Sequence, residues 1–177
     1  NFLNSKRFWL AASTHKDEDH FCFKTHSLLK KKYPEIITII APRHINRVQK
    51  IKNLGEKFNF NVQTLKEGEK IINGKEIIII NAFGILNEYF KFAKSVFIGK
   101  SMIKSLKHDG GQNPINAAKL GCKIYHGPYV YNFQDIYSTL EKNEISKKIE
   151  SAEDLSFNLM KDLEIFKEKN NNISNIV

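Results

Sequence analysis

Gly110-Gly111-Gln112-Asn113-Pro114-Ile115-Asn116 is the stretch of this chain with the densest chemical potential. The two glycines let the backbone take turns that Cβ-bearing residues resist. Asn113 can cap a helix, and Pro114 suits its first position, where no N–H is needed. A glycine-rich loop that opens a helix between parallel strands presents free N–H groups and a positive dipole end to an anion. The same pattern fits an ordinary turn between strand and helix, because short glycine motifs recur by chance. Three further segments carry suitable groups. Pro42-Arg43-His44 offers a planar guanidinium whose fork matches phosphate or carboxylate, or else a surface arginine. Ser13-Thr14-His15 offers two hydroxyls, which can cap a helix, touch a ligand, or do both. Asn81-Ala82-Phe83-Gly84 reads as a turn into a helix. His15 and His44 invite a general-base reading, against the commoner fate of structural histidines. His20, His26, His108 and His126 lack metal-ligand spacing, so no metal site is expected.

These segments need a scaffold that places them together. The spacing predicts strands at Arg7–Ala12, Ile36–Ile40, Val62–Leu65, Glu76–Ile80, Ser95–Gly99 and Lys123–Gly127. Between them it predicts helices from Asp17 to about Lys32, ended by Pro34, from Ile45 to Phe58, from Ile85 to about Phe92, and a short one after the glycine loop. Glu18 reads as a first-turn acid on the positive end of its helix. Asn132-Phe133-Gln134-Asp135 opens another helix, with Asn132-Phe133 as cap and core anchor. Ser151-Ala152-Glu153-Asp154 resembles a capping box for a last helix over about 151–169, lined by Leu155, Leu159, Leu163 and Phe166. A polar tail, Asn170 to Val177, follows. Six strands alternating with helices make an α/β fold, a Rossmann-like doubly wound parallel sheet, with an expected order of 3-2-1-4-5-6. Such sheets bind ligands beyond the carboxyl ends of the strands, which is where all four polar segments fall.

Composition sets the outer bounds. A chain of 177 residues can bury a core as one domain. No apolar run approaches the eighteen or so residues of a membrane span, and Ile77-Ile78-Ile79-Ile80 reads as a buried strand. Nothing at the start resembles a signal peptide, and the chain opens on Asn1, as a piece of something longer would. Cys22 and Cys122 have no metal-type spacing, so reduced cytosolic thiols are expected. A net charge of +9 favours anionic partners: nucleotides, nucleic acid or an acidic membrane surface. No RNP-like aromatic run, zinc finger or recognition-helix pattern supports the nucleic-acid option.

Six motifs in order resemble the carboxyl-terminal half of the lipid A Kdo transferases, which add 3-deoxy-D-manno-octulosonic acid from CMP-Kdo to a lipid A precursor. Ala11-Ala12-Ser13-Thr14-His15 resembles the family's A-G-S-T-H, and Ala41-Pro42-Arg43-His44 its P-R-H. Asn81-Ala82-Phe83-Gly84-Ile85-Leu86 resembles D-T-M-G-E-L, and Phe97-Ile98-Gly99-Lys100-Ser101 stands at F-V-G-G-S. Gly110 to Asn116 stands at G-G-H-N-P-L-E, and Gly127-Pro128 with Asn132-Phe133 at G-P-x-x-x-N-F. The resemblance implies the second, donor-binding half of a GT-B glycosyltransferase, here one nucleotide-sugar-binding domain over 1–177. CMP contacts would then fall on Pro42 and Arg43; on Phe83, Gly84 and Ile85; and on Asn113, Pro114, Ile115 and Asn116. Ser13, Thr14, His15, Ser101, Gly110 and Gly111 are further rim positions. The presumed catalytic base is a glutamate of the first domain, so no catalytic residue is expected in this chain, and no cofactor. The implied partners are CMP-Kdo, a lipid A precursor and the anionic inner-membrane surface, at its cytoplasmic face, with no nucleic acid. Ile85 and Asn116 each replace a family glutamate, and Gln112 a histidine. Two rival readings are another GT-B transferase using a UDP- or GDP-sugar, and a non-enzymatic basic domain that binds nucleotides or nucleic acid.

Overall fold

The computed structural model of the chain describes residues 2–165. Seven strands, all parallel, form one sheet: β1 (Phe8–Thr14), β2 (Ile37–Pro42), β3 (Val62–Leu65), β4 (Ile77–Ile80), β5 (Ser95–Ile98), β6 (Lys123–His126) and β7 (Ser146–Lys148). The helices are α1 (Glu18–Lys32), α2 (Val48–Lys57), α3 (Leu86–Phe90), α4 (Ile115–Lys119), α5 (Gln134–Lys142) and α6 (Ala152–Glu164). A sheet covered on both faces wants strands apolar on both sides, and β4 is four buried isoleucines in a row. Successive side chains point to opposite faces, so Phe8, Leu10 and Ala12 enter one core and Trp9 and Ala11 the other.

The strand order is β3-β4-β2-β1-β5-β6-β7, which corrects the expected 3-2-1-4-5-6. β4 lies between β3 and β2, and β5 takes the place beside β1. The cause is the connection between Leu65 and Ile77, which contains no helix. A short connection favours a strand next door over one carried across the sheet. Handedness then divides the layers. The crossovers from β1 to β2 and from β2 to β3 carry α1 and α2 on one face; the later crossovers run the other way and carry α3, α4 and α5 on the opposite face. The topological switch point therefore falls between β1 and β5.

Other departures are local. The helix predicted over Ile45–Phe58 begins as a separate 3-10 turn, Ile45–Arg47, before α2. β7 escaped prediction because Ser146-Lys147-Lys148 is short and its two lysines are exposed, as suits a sheet edge. Ser151 caps α6 as expected, its Oγ accepting from the Asp154 N–H at 3.1 Å. The reciprocal bond runs from the Glu150 N–H to Asp154 at 3.1 Å, one residue earlier than a capping box has it. α6 returns to the α1 side, where the Tyr33 hydroxyl donates to the Met160 carbonyl at 3.0 Å. Asp162 of α6 accepts from Ser95 and Tyr125 at 2.7 and 2.6 Å. Phe166, the helix extension to about 169 and the tail over 170–177 lie outside the described residues.

Candidate functional site: a rim at the strand ends

β1 ends irregularly, with its register to β2 shifting between Ala12 and Thr14 and Ser13 at φ +56. This kink turns the Thr14 carbonyl toward the next strand end, where it accepts from the Arg43 N–H at 3.0 Å and from Arg47 at 3.2 Å. Neither Ser13 nor Thr14 caps α1. Thr14 is fully buried, its hydroxyl without a hydrogen-bond partner among the described residues, and the cap residue Asp17 makes no side-chain cap bond.

Glu18 does the organising instead. Its carboxylate is 1% exposed and accepts four N–H groups: His15 and Lys100 on Oε2 at 2.9 and 2.8 Å, Ser101 and Met102 on Oε1 at 3.0 and 3.1 Å. Burial pushes its carboxyl above the ordinary range, and the four N–H donors pull it back. The loop after β5 is thereby tied to the first turn of α1. Gly99 permits the approach, since a Cβ there would lie 2.6 Å from the Ser13 carbonyl oxygen. Next along α1, Asp19 pairs with Arg47, and burial raises its carboxyl to about 6 against the pull of that guanidinium.

The glycine loop leans on this base. Gly111 has φ +95 and donates its N–H to the Lys100 carbonyl at 2.6 Å. The Gly110 carbonyl accepts from Asn132 N–H at 3.0 Å, and the Asn132 amide also donates to Asp109 at 3.0 Å. The Tyr137 hydroxyl donates to the Gln112 carbonyl at 2.8 Å. Asn113 Oδ1 accepts from the Ile115 N–H at 2.9 Å, an Asx turn one residue ahead of the helix cap; Pro114 takes the cap position expected for Asn113 and has no side-chain acceptor to cap with. α4 is only five residues long, so its dipole is small. Side-chain cations must then supply most of the rim's positive charge.

Three of the rim's cations stand in different states. Arg47 is held by Asp19, and Lys100 Nζ lies 3.0 Å from Asp109. Arg43 is exposed, and its side chain makes no hydrogen bond or ion pair among the described residues. His15 and His44 meet edge to face at 5.6 Å. His15 is half-buried, and its Nδ1 lies 3.2 Å from the Ser13 carbonyl oxygen, so Nδ1–H donates and Nε2 keeps the lone pair. Burial, with Lys100, His44 and Arg47 adding to it, holds the ring below its ordinary proton affinity.

The remaining expected positions divide. Pro42 ends β2 and is buried. Phe83 is 69% exposed and Gly84 has φ +73; α3, which follows this turn, packs on α4, which follows Asn113 and Pro114. Asn113 and Asn116 are exposed, Pro114 is buried and Ile115 half-buried. Ile85 instead lines a groove of about 840 Å³ on the sheet face with Phe2, Leu65, Ile71 and Tyr89. Ser101 is fully buried; its hydroxyl donates to Ile98 and accepts from Gly127, so both of its bonds stay inside the fold. Sequence reasoning missed Arg47, Lys100, Asp109 and Asn132 as rim residues. Lys100 left a signal, a lysine inside Gly99-Lys100-Ser101, and Asn132 stood in the G-P-x-x-x-N-F segment but was read as a cap. Among the described residues, no three His, Cys, Asp or Glu side chains could hold a metal ion, and no helix is long and apolar enough to cross a membrane.

No protein-family model matches the chain. Its sequence is similar to 3-deoxy-D-manno-octulosonic acid transferases. The protein of that name from Haemophilus influenzae is 27% identical over 146 residues, covering 82% of this chain and 33% of the relative. That from Aquifex aeolicus is 26% identical over 161 residues, covering 91% and 43%. The chain thus spans a third to less than half of these curated relatives. Its fold matches the crystal structure of the C-terminal CMP-Kdo binding domain of WaaA from Acinetobacter baumannii with a TM-score of 0.81 at 19% identity, over 92% of this chain and 83% of that one.

Proposed function

We propose that this chain is the donor-binding domain of a GT-B Kdo transferase and that its rim binds the CMP part of CMP-Kdo. The observation that carries the reading is sequence similarity to Kdo transferases over most of the chain, with the rim segments in the family's order. The geometry supports it: the Arg43 side chain is unengaged among the described residues at the end of β2, and α3 and α4, the helices that follow Phe83–Gly84 and Asn113–Pro114, pack together. Arg43 would fork onto the CMP phosphate and stabilise it as it departs. Pro42 and Gly84 shape the backbone, and Asn113 and Asn116 face the ribose side. Ser101 belongs to the supporting layer.

The reaction of the whole protein is attack by a sugar hydroxyl of a lipid A precursor on the anomeric carbon of Kdo, at the cytoplasmic face of the inner membrane. A second lobe would supply the base. The +9 charge suits both the anionic donor and an anionic membrane surface. Competition in one binding assay among CMP, UMP and an oligonucleotide tests the reading. CMP should win, with a dissociation constant on the order of 0.1–1 mM, because one wall of a two-lobed cleft leaves about 4–5.5 kcal/mol of binding. Preference for UMP would point to a UDP-sugar enzyme, and preference for the oligonucleotide would end the transferase reading.

A further inference from the structure

Lys100 is the rim residue that the likeness leaves unexplained. The matching family segment has glycine there, and the backbone agrees with glycine: φ is +56, a conformation that L-residues adopt at a cost. The chain keeps a lysine in that strained position. Its side chain is 17% exposed, and its Nζ is held 3.0 Å from Asp109, whose carboxylate is 69% exposed and also accepts from Asn132. The strand order adds the second argument. β5 neighbours β1, so Lys100 and His15 stand on the two sides of the switch point, where open α/β sheets bind their ligands. The expected order had put the turn at Phe83 and Gly84 there.

Resting on the nucleotide reading of the rim, we propose that Lys100 Nζ is a second phosphate-binding group beside Arg43. Asp109 is its resting counter-ion and yields when the nucleotide enters. A half-buried ammonium without an anion is unfavourable, and exchange of one anion for another keeps it satisfied throughout. Asp109 can leave readily because it is exposed, whereas Lys100 is fixed by its own backbone N–H on Glu18 and its carbonyl on Gly111.

Lys100→Gly is the informative variant, because glycine relieves the positive φ and the protein should melt no lower than wild type. CMP affinity should fall roughly five- to twentyfold while cytidine affinity stays unchanged, since the lost contact is a charge-assisted bond to phosphate. Asp109→Asn should move the other way and tighten CMP by removing the competing anion. Unchanged CMP affinity in Lys100→Gly overturns the proposal. So does equal weakening of CMP and cytidine in both variants, which would make the pair a strut for the glycine loop. Wild-type protein that binds no CMP at all would sink the nucleotide reading, and the proposal with it.

Discussion

Arg43 and Arg47 are four residues apart and share a charge, yet their fates differ. Arg47 is clamped by Asp19 and donates to the Thr14 carbonyl, so its charge serves the fold. Arg43 contributes its backbone N–H to the same carbonyl and leaves its guanidinium outside. Arg43→Ala should therefore leave the melting temperature nearly unchanged and weaken CMP by about 1.5–3 kcal/mol, the worth of a charge-assisted bond. Cytidine binding should barely change; equal losses for nucleotide and nucleoside in a titration would show that Arg43 works through folding. Ser101 teaches the reverse lesson. A serine beside glycine at a strand end looks available, but its hydroxyl is spent between Ile98 and Gly127.

At the scale of elements, the rim depends on one carboxylate. Glu18 joins the first turn of α1 to the loop after β5 through three N–H groups of that loop and the N–H of His15. Glutamine has one acceptor oxygen, and its amide N–H₂ would face donors. Glu18→Gln should cost about 2–4 kcal/mol in urea unfolding, because buried N–H groups lose their acceptor. Amide exchange should quicken at Lys100, Ser101 and Met102 before it does in the sheet. A loss below about 0.5 kcal/mol, the level of an ordinary surface change, would remove Glu18 from this role. The five-residue α4 belongs here too: its alanines, Ala117 and Ala118, serve the core, and its length limits what its amino end offers an anion.

Across the whole molecule, the two faces of the sheet are sealed by different helices, and His26 lies inside one of them. It is fully buried on α1, with Nδ1 2.8 Å from Thr38 Oγ1 of β2 and Nε2 3.6 Å from Glu76. Burial, with the Lys30 charge adding to it, lowers its pKa from 6.5 to about 3. The folded ring binds a proton more weakly than the unfolded one, so stability is complete above pH 6.5 and falls as pH drops toward 3, by about 1.4 kcal/mol per unit at most. His26→Gln removes that titration. The stability gap between wild type and variant should narrow by about 1–2 kcal/mol between pH 7 and pH 5, read from urea unfolding at each pH. A gap independent of pH would mean that water reaches the ring.

Much of this architecture was legible because it is local. Hydrophobic runs such as Ile77–Ile80, the Pro34 stop, the Ser151 cap and the glycine loop each depend on a few neighbouring residues, and the structure has them where the sequence puts them. The strand order was decided by tertiary structure: β4 has the same isoleucines on either side of β1, and only the helix-free connection from Leu65 and the handedness of crossovers settle its place. The same holds for the rim. Which acid organises it and which arginine is held depend on partners far away in sequence, 28 residues for Arg47 with Asp19 and 83 for Ser101 with Glu18. A linear pattern carries residue types but not those distant pairings, and burial and charge compensation act only once the chain has closed.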